Sequence, residues 1–173
     1  GAGPIGLLGA MLAVQRGLEV HVLDKLTAGP KPGIVEALGA TYHTGEIASV
    51  VGKTGADAIL EATGVGQLVF DAMEHLAPGG IVCLTGISPV GRALTVDAGS
   101  INRDLVLQNN VVLGSVNANR HHYEAAAEAL AKADRGWLES LVSRRVPLET
   151  YEEALETRPD DVKVVLEIAA DAG

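Results

Sequence analysis

Gly1-Ala2-Gly3-Pro4-Ile5-Gly6 opens the chain, the apolar, Ala-containing segment Leu7 to Gln15 follows, and Glu19-Val20-His21-Val22-Leu23-Asp24 ends a short β-rich run in an acid. The first six residues spell G-x-G-x-x-G. In a dinucleotide-binding unit each part has a physical task. Small residues let the backbone turn tightly and approach a pyrophosphate, and the helix that follows presents N–H groups and a positive dipole end to it. Asp24 lies eighteen residues past Gly6, where a carboxylate can accept hydrogen bonds from ribose hydroxyls. Alone, such a glycine motif is also what a plain loop before a helix looks like. The helix, strand and acid after it turn it into a prediction. The strand that should lead into Gly1 is not in the chain, so the unit is expected to begin at the turn itself.

Outward from this stretch, strand and helix signals alternate. Lys25 to Gly33 is a loop rich in Gly and Pro, and Ile34 to Leu38 a short helix stopped by Gly39. Ala40 to His43 predicts a brief strand, Glu46 to Lys53 a small helix, and Ala56 to Ala62 a buried strand. Thr63-Gly64-Val65-Gly66 turns into the helix Gln67 to Leu76, closed by Pro78-Gly79-Gly80, and Ile81 to Thr85 is a strand. After the loop Gly86 to Gly91, Ser100 reads as the N-cap of Ile101 to Gln108. Val111 to Val116 is a strand, Asn117 to Arg120 its loop and His121 to Asp134 a long helix.

This rhythm predicts an α/β fold: a Rossmann-type doubly wound parallel sheet of six strands, its first strand missing. The tail breaks the rhythm. Leu141 to Leu148 reads as extended, Tyr151 to Glu156 as helical and Val162 to Ala169 as apolar and β-branched. The expected organisation is therefore a dinucleotide-binding domain over 1–136 and, over 137–173, segments that return to a domain lying N-terminal to Gly1. A sheet without its leading strand is expected to be unstable in isolation.

Composition narrows the partners. A net charge of −9 with no basic stretch excludes a nucleic-acid or anionic-membrane surface. No apolar run approaches the roughly eighteen residues of a membrane span and no signal peptide is visible, so the expectation is a cytoplasmic protein. The single Cys83, inside Ile81-Val82-Cys83-Leu84, rules out a disulfide framework and reads as a small core residue. The five histidines lack ligand spacing, and adjacent His121-His122 would not share a helix face.

In a sheet of this kind ligands bind beyond the carboxyl ends of the strands. Four such ends carry small or polar residues: Leu23-Asp24, Ala62-Thr63-Gly64, Thr85-Gly86-Ile87-Ser88 and Gly114-Ser115-Val116-Asn117. As a set they line one crevice, with Gly1, Gly3, Pro4, Ile5 and Gly6 near the pyrophosphate and Asp24 and Lys25 at the ribose. The loops of Thr63, Gly64, Gly86 and Ile87 then run along the cofactor, and Ser115, Val116 and Asn117 lie near the nicotinamide. Each also reads as a turn residue serving only its own loop. A carboxylate at the ribose repels a 2′-phosphate, which favours NAD over NADP; Lys25 and Lys31 lie within reach of such a phosphate but read first as solvated loop lysines. No catalytic residue is read in this chain: it has no nucleophile elbow, metal-ligand spacing or close acid pair in a pocket, and Asp160-Asp161 and Glu152-Glu153 read as solvated faces.

Several runs resemble one family. These are Gly1 to Leu8, Glu36-Ala37-Leu38-Gly39-Ala40-Thr41-Tyr42, Glu61-Ala62-Thr63-Gly64, Leu76-Ala77-Pro78-Gly79-Gly80, Val96-Asp97-Ala98-Gly99 with Arg103, and Asn109 to Tyr123 with Gly114-Ser115-Val116-Asn117. Together they are similar to the medium-chain alcohol/polyol dehydrogenases, in particular the glucose dehydrogenase branch, over nearly the whole chain. The resemblance implies the cofactor-binding part of a zinc-dependent oxidoreductase acting in carbohydrate metabolism, which oxidises C1 of glucose to the lactone by hydride transfer to NAD or NADP. It places the zinc ligands in a catalytic domain outside this chain and implies that Asn117 helps hold nicotinamide and sugar. It further implies a homodimer or homotetramer joined through the Val111 to Val116 edge. The departure is Asp24-Lys25, where many glucose dehydrogenases carry small or basic residues and accept NADP. Two other readings stay open: the same fold acting on another polyol or alcohol, with sorbitol-, threonine- or alcohol-dehydrogenase-like chemistry, and a non-catalytic NAD-binding module.

Overall fold

The structure, a computed structural model, describes residues 1–52 and 55–168. Lys53 and Ala169, which the sequence reading placed at element ends, lie outside the described residues. Two compact units are present. One comprises Gly1, Leu23–Lys25 and His43–Tyr123, the other Ala2–Val22, Leu26–Tyr42 and the chain from Glu124 onward.

In the first unit β3 (Ala56–Glu61), β4 (Leu76–Leu84) and β5 (Val111–Gly114) form a parallel ladder in the order β3-β4-β5. The helices α3 (Ile47–Val51), α4 (Gly66–Glu74) and α5 (Ala98–Gln108) belong to the same unit. Its core is Ala72, Leu76 and the fully buried Val82, with Ile47, Ile59, Leu84 and Val112 packed against them. Ile81, where the strand was expected to begin, is where regular pairing starts, Ala58↔Ile81. The strand itself runs back to Leu76, with Ala77-Pro78-Gly79-Gly80 taken up in an irregularity between Ala56 and Ala58. Cys83 is a half-buried free thiol within this ladder.

Ser100 is not the cap of α5. Asp97 is, its carboxylate accepting from Ser100 N–H at 3.0 Å, so the helix starts three residues early and carries Gly99 in its first turn. Both residues are good cap formers, and Asp97 satisfies an amide of the first turn that would otherwise lack a partner.

In the second unit α1 (Pro4–Val14) and α2 (Lys31–Ala37) pack with α6 (Arg120–Lys132) and α7 (Arg135–Ser140), most of α6 lying in this unit. Ala2, Leu7, Ala10, Met11, Val22, Ile34, Val35, Ala40, Trp137, Leu141 and Val162 form the core. Gln15 anchors α6 by donating to Ala129 C=O at 2.9 Å. α2 begins at Lys31, three residues before the expected Ile34, because a proline in the first helical turn loses no hydrogen bond that the turn would have made. α7 lies in a stretch the sequence reading left unassigned. Asp134 caps it, accepting from Trp137 N–H at 2.7 Å, and the buried indole donates to Ile34 C=O at 2.8 Å.

The tail folds as β6 (Val142–Pro147) and β7 (Lys163–Glu167), a separate parallel pair, with a 3-10 turn (Leu148–Thr150) and α8 (Glu152–Leu155) between them. Arg144 holds that connection. Its guanidinium grips both Asp161 carboxylate oxygens at 2.8 Å and donates to Glu153 C=O and Glu156 C=O. The paired guanidinium, with help from Arg158 N–H and Ser143, lowers the Asp161 pKa to about 2.

β1 (His21–Leu23) and β2 (Thr41–His43) pair with each other, Val20 C=O accepting from Thr41 N–H and His43 C=O from Asp24 N–H. The strands of the expected sheet thus fall into two ladders, β1-β2 and β3-β4-β5. In the usual doubly wound order 3-2-1-4-5-6, these match 3-2 and 4-5-6. The fold is α/β with parallel ladders and is Rossmann-like.

Candidate functional site

Glu61, Leu84 and Gly114 are direct neighbours across β3-β4-β5, so the three strands end level. Parallel strands that end together deliver their following loops side by side. Here these loops are Ala62-Thr63-Gly64, Thr85-Gly86-Ile87 and Ser115-Val116-Asn117, three of the four predicted strand ends. Ser115 N–H extends the β4-β5 pairing by donating to Leu84 C=O at 2.9 Å.

The first two loops touch through glycine. Gly64 has φ +69°, and a Cβ there would stand 2.4 Å from Ile87 O. A Cβ on Gly86 would stand 2.1 Å from Gly64 N. No side chain fits at either place, so the backbones meet directly. Gly1 belongs to the same group, because a Cβ on it would meet Thr63 Cγ2 at 2.7 Å.

Sequence reasoning missed the residue beneath these loops. Glu61 is a charged side chain only 5% exposed, and its carboxylate is filled by donors. Oε1 accepts from Thr63 N–H at 2.7 Å, from the Thr63 hydroxyl and from Gly64 N–H, which it shares with Oε2 at 3.1 Å. The Glu61 carbonyl accepts from Thr85 N–H, Gly86 N–H and Thr85 Oγ. An acid at the end of an apolar strand, two residues before Thr-Gly, was the available signal.

Ile87, Val116 and Asn117 are exposed, Ile87 and Val116 to more than four-fifths. The Asn117 loop is closed by Asn119, which accepts from His122 N–H at 3.0 Å and donates its own N–H to His122 Nδ1 at 3.2 Å. His122 thus serves the start of α6. Among the described residues no group of three His, Cys, Asp or Glu is placed to hold a metal ion. No helix among them is long and apolar enough to cross a membrane.

Asp24 follows β1 in the first unit, half-buried, with the exposed Lys25 next to it. Gly3, Pro4, Ile5 and Gly6 lie in the second unit at the start of α1. Gly3 is its N-cap in extended conformation, Pro4 is in the first turn, and no side chain caps the helix. A Cβ on Gly3 would meet nothing within 4 Å. A helix start with a small, open cap and no acid in its first turn suits an anion such as a pyrophosphate.

A family model described as "Glucose dehydrogenase C-terminus" matches residues 1–168. The chain belongs to that family. Glucose 1-dehydrogenase of Methanocella arvoryzae is 41% identical to it over 98% of the chain and 50% of its own length. Glucose 1-dehydrogenase of Thermoproteus tenax is 38% identical over 97% of the chain and 49% of its own length. The solved Haloferax mediterranei glucose dehydrogenase in complex with NADP, Zn and gluconolactone superposes with a TM-score of 0.88 at 33% identity, over 98% of this chain and 50% of that one. The chain spans about half the length of the relatives it matches.

Proposed function

We propose that residues 1–173 are the cofactor-binding half of an NAD(P)-dependent, zinc-type aldose 1-dehydrogenase that oxidises glucose at C1 to the lactone. The observation that carries this is the side-chain-free start of α1 at Gly3, in a chain of the glucose dehydrogenase family. When bound, the nicotinamide accepts the hydride. The chain's own residues bind and orient. First-turn amides of α1 donate to the pyrophosphate, and Asp24 accepts from ribose hydroxyls. The Thr63-Gly64 and Gly86-Ile87 backbones flank the nicotinamide half, and Ser115, Val116 and Asn117 border its ring, Asn117 also reaching the sugar.

In this reading zinc belongs to a catalytic domain outside residues 1–173. The dinucleotide-binding domain is 1–136 and the β6–β7 tail, within 137–173, returns to that catalytic domain. Asp24 favours NAD, although the Haloferax enzyme is solved with NADP. The exposed edge of β5, with Val111 and Leu113 each more than two-fifths exposed, joins a second copy in a homodimer or homotetramer.

Gly3→Ala tests the reading. The added methyl meets open protein surface, so the melting temperature should hold within a few degrees, while the methyl obstructs the approach of a pyrophosphate. The expected result is an NAD+ affinity weakened about tenfold or more in the complete polypeptide, with kcat/KM for glucose falling in step. Unchanged NAD+ affinity in Gly3→Ala would refute it. Titration with NADP+ beside NAD+ reads cofactor choice, and turnover of glucose, galactose and xylose reads the sugar.

A further inference from the structure

Glu61 has no place in the cofactor contacts described above, yet it joins both loops that provide them. Six donor groups converge on one residue at the end of β3. The carboxylate receives Thr63 N–H, Thr63 Oγ and Gly64 N–H, and the carbonyl receives Thr85 N–H, Thr85 Oγ and Gly86 N–H. A Cβ on Gly86 would also lie 2.7 Å from Glu61 Oε2, so the carboxylate fits against that glycine too.

We propose that Glu61 is a positioning residue for the nicotinamide end of the cofactor, setting where the Thr63-Gly64 and Gly86-Ile87 loops stand without touching the ligand itself. Its oxygens are turned into the protein and occupied. The Thr63 hydroxyl is occupied as well, donating to Glu61 and accepting from Val65 N–H at 3.0 Å. What the loops offer a ligand is therefore backbone held in one place. A buried carboxylate without donors is strongly unfavourable, so the charge and the loop amides stabilise one another and leave few alternatives for either.

The ladder β3-β4-β5 corresponds to one mononucleotide-binding half of a doubly wound sheet, and on the cofactor reading above, which puts Asp24 after β1 at the adenosine ribose, the loops of this ladder take the nicotinamide end. The consequence is a split. Disturbing Glu61 should weaken ligands that carry nicotinamide and spare those that end at ADP-ribose. General unfolding would weaken both.

The inference rests on the cofactor reading above. Its test uses the complete polypeptide, as wild type, Glu61→Gln, Thr85→Val and Thr85→Ser, titrated with NAD+ and with ADP-ribose. Glu61→Gln keeps the shape but removes the charge and turns an N–H donor toward donors already there. NAD+ should bind about tenfold more weakly and ADP-ribose within about twofold of wild type. Thr85→Val removes one of the three donors to the Glu61 carbonyl with little change of volume, giving a smaller shift in the same direction that Thr85→Ser restores. If Glu61→Gln does not fold, the Thr85 pair decides. A Thr85→Val loss confined to NAD+ supports the inference, and an equal loss of both ligands, or of neither, overturns it. Wild-type protein that binds neither ligand ends the cofactor reading and this inference together. Wild type that binds both, with Glu61→Gln indistinguishable from it, ends this inference alone.

Discussion

Gly64→Ala perturbs the meeting of the two loops through both backbone conformation and close contact. At φ +69° an alanine is strained by about 1 to 2 kcal/mol. Its Cβ would stand 2.4 Å from Ile87 O and 2.6 Å from Ile87 C, roughly 1 Å inside ordinary contact. Those are backbone atoms, so no side-chain rotation relieves the clash and the loops must separate. Separation stretches the Gly64 N–H bonds to Glu61, at 3.2 and 3.1 Å, and a buried amide left without its acceptor costs about 1 to 3 kcal/mol. The sum is about 3 kcal/mol. For a typical urea slope that lowers the unfolding midpoint by roughly 1 to 3 M. Gly114→Ala is the control: it has neither a positive φ nor an atom within 4 Å of the added carbon, and should stay within about 0.5 kcal/mol of wild type. Urea unfolding followed by circular dichroism reads both. Equal midpoints for the two variants would refute the close-approach argument.

The other expectations concern the second unit. Trp137→Phe removes the indole donor from Ile34 C=O and should destabilise by about 2 kcal/mol, read as a lower midpoint by circular dichroism. An unchanged midpoint would show that this bond contributes nothing. The Asp161 carboxyl is held at about 2, below its ordinary 3.8, so the stabilisation it gives is fully present above pH ~4 and is lost as pH falls towards 2. Asp161→Asn should lower the midpoint at pH 7 and show a weaker loss between pH 4 and 2. Parallel acid limbs for the two proteins would contradict the pairing with Arg144.

How much of this was legible beforehand differs by element. β3, β5 and α6 were placed to within a residue or two because their signals are local: an apolar run bounded by turn residues for each strand, an Ala- and Glu-rich stretch for the helix. The Glu61-Ala62-Thr63-Gly64 run was visible as a motif, but the role of its first residue was not. A glutamate at the end of a strand as exposed as β3 looks solvated until the loops that donate to it are known, and its six donors come from residues as far along as Gly86. α7 was missed for a similar reason, since six residues carry little helical signal and Trp137 is fixed by an Ile34 carbonyl 103 positions away.

The sequence by itself determined the alternation of strand and helix, the glycine turn at Gly3 and the family. Only the tertiary structure decided that β3, β4 and β5 end level, that Gly64 and Gly86 meet backbone to backbone, and that a buried carboxylate ties their loops together. The physical reason is range. Turn, cap and period signals act over a few residues, whereas which donor satisfies a buried acceptor depends on which distant strand lies beside it.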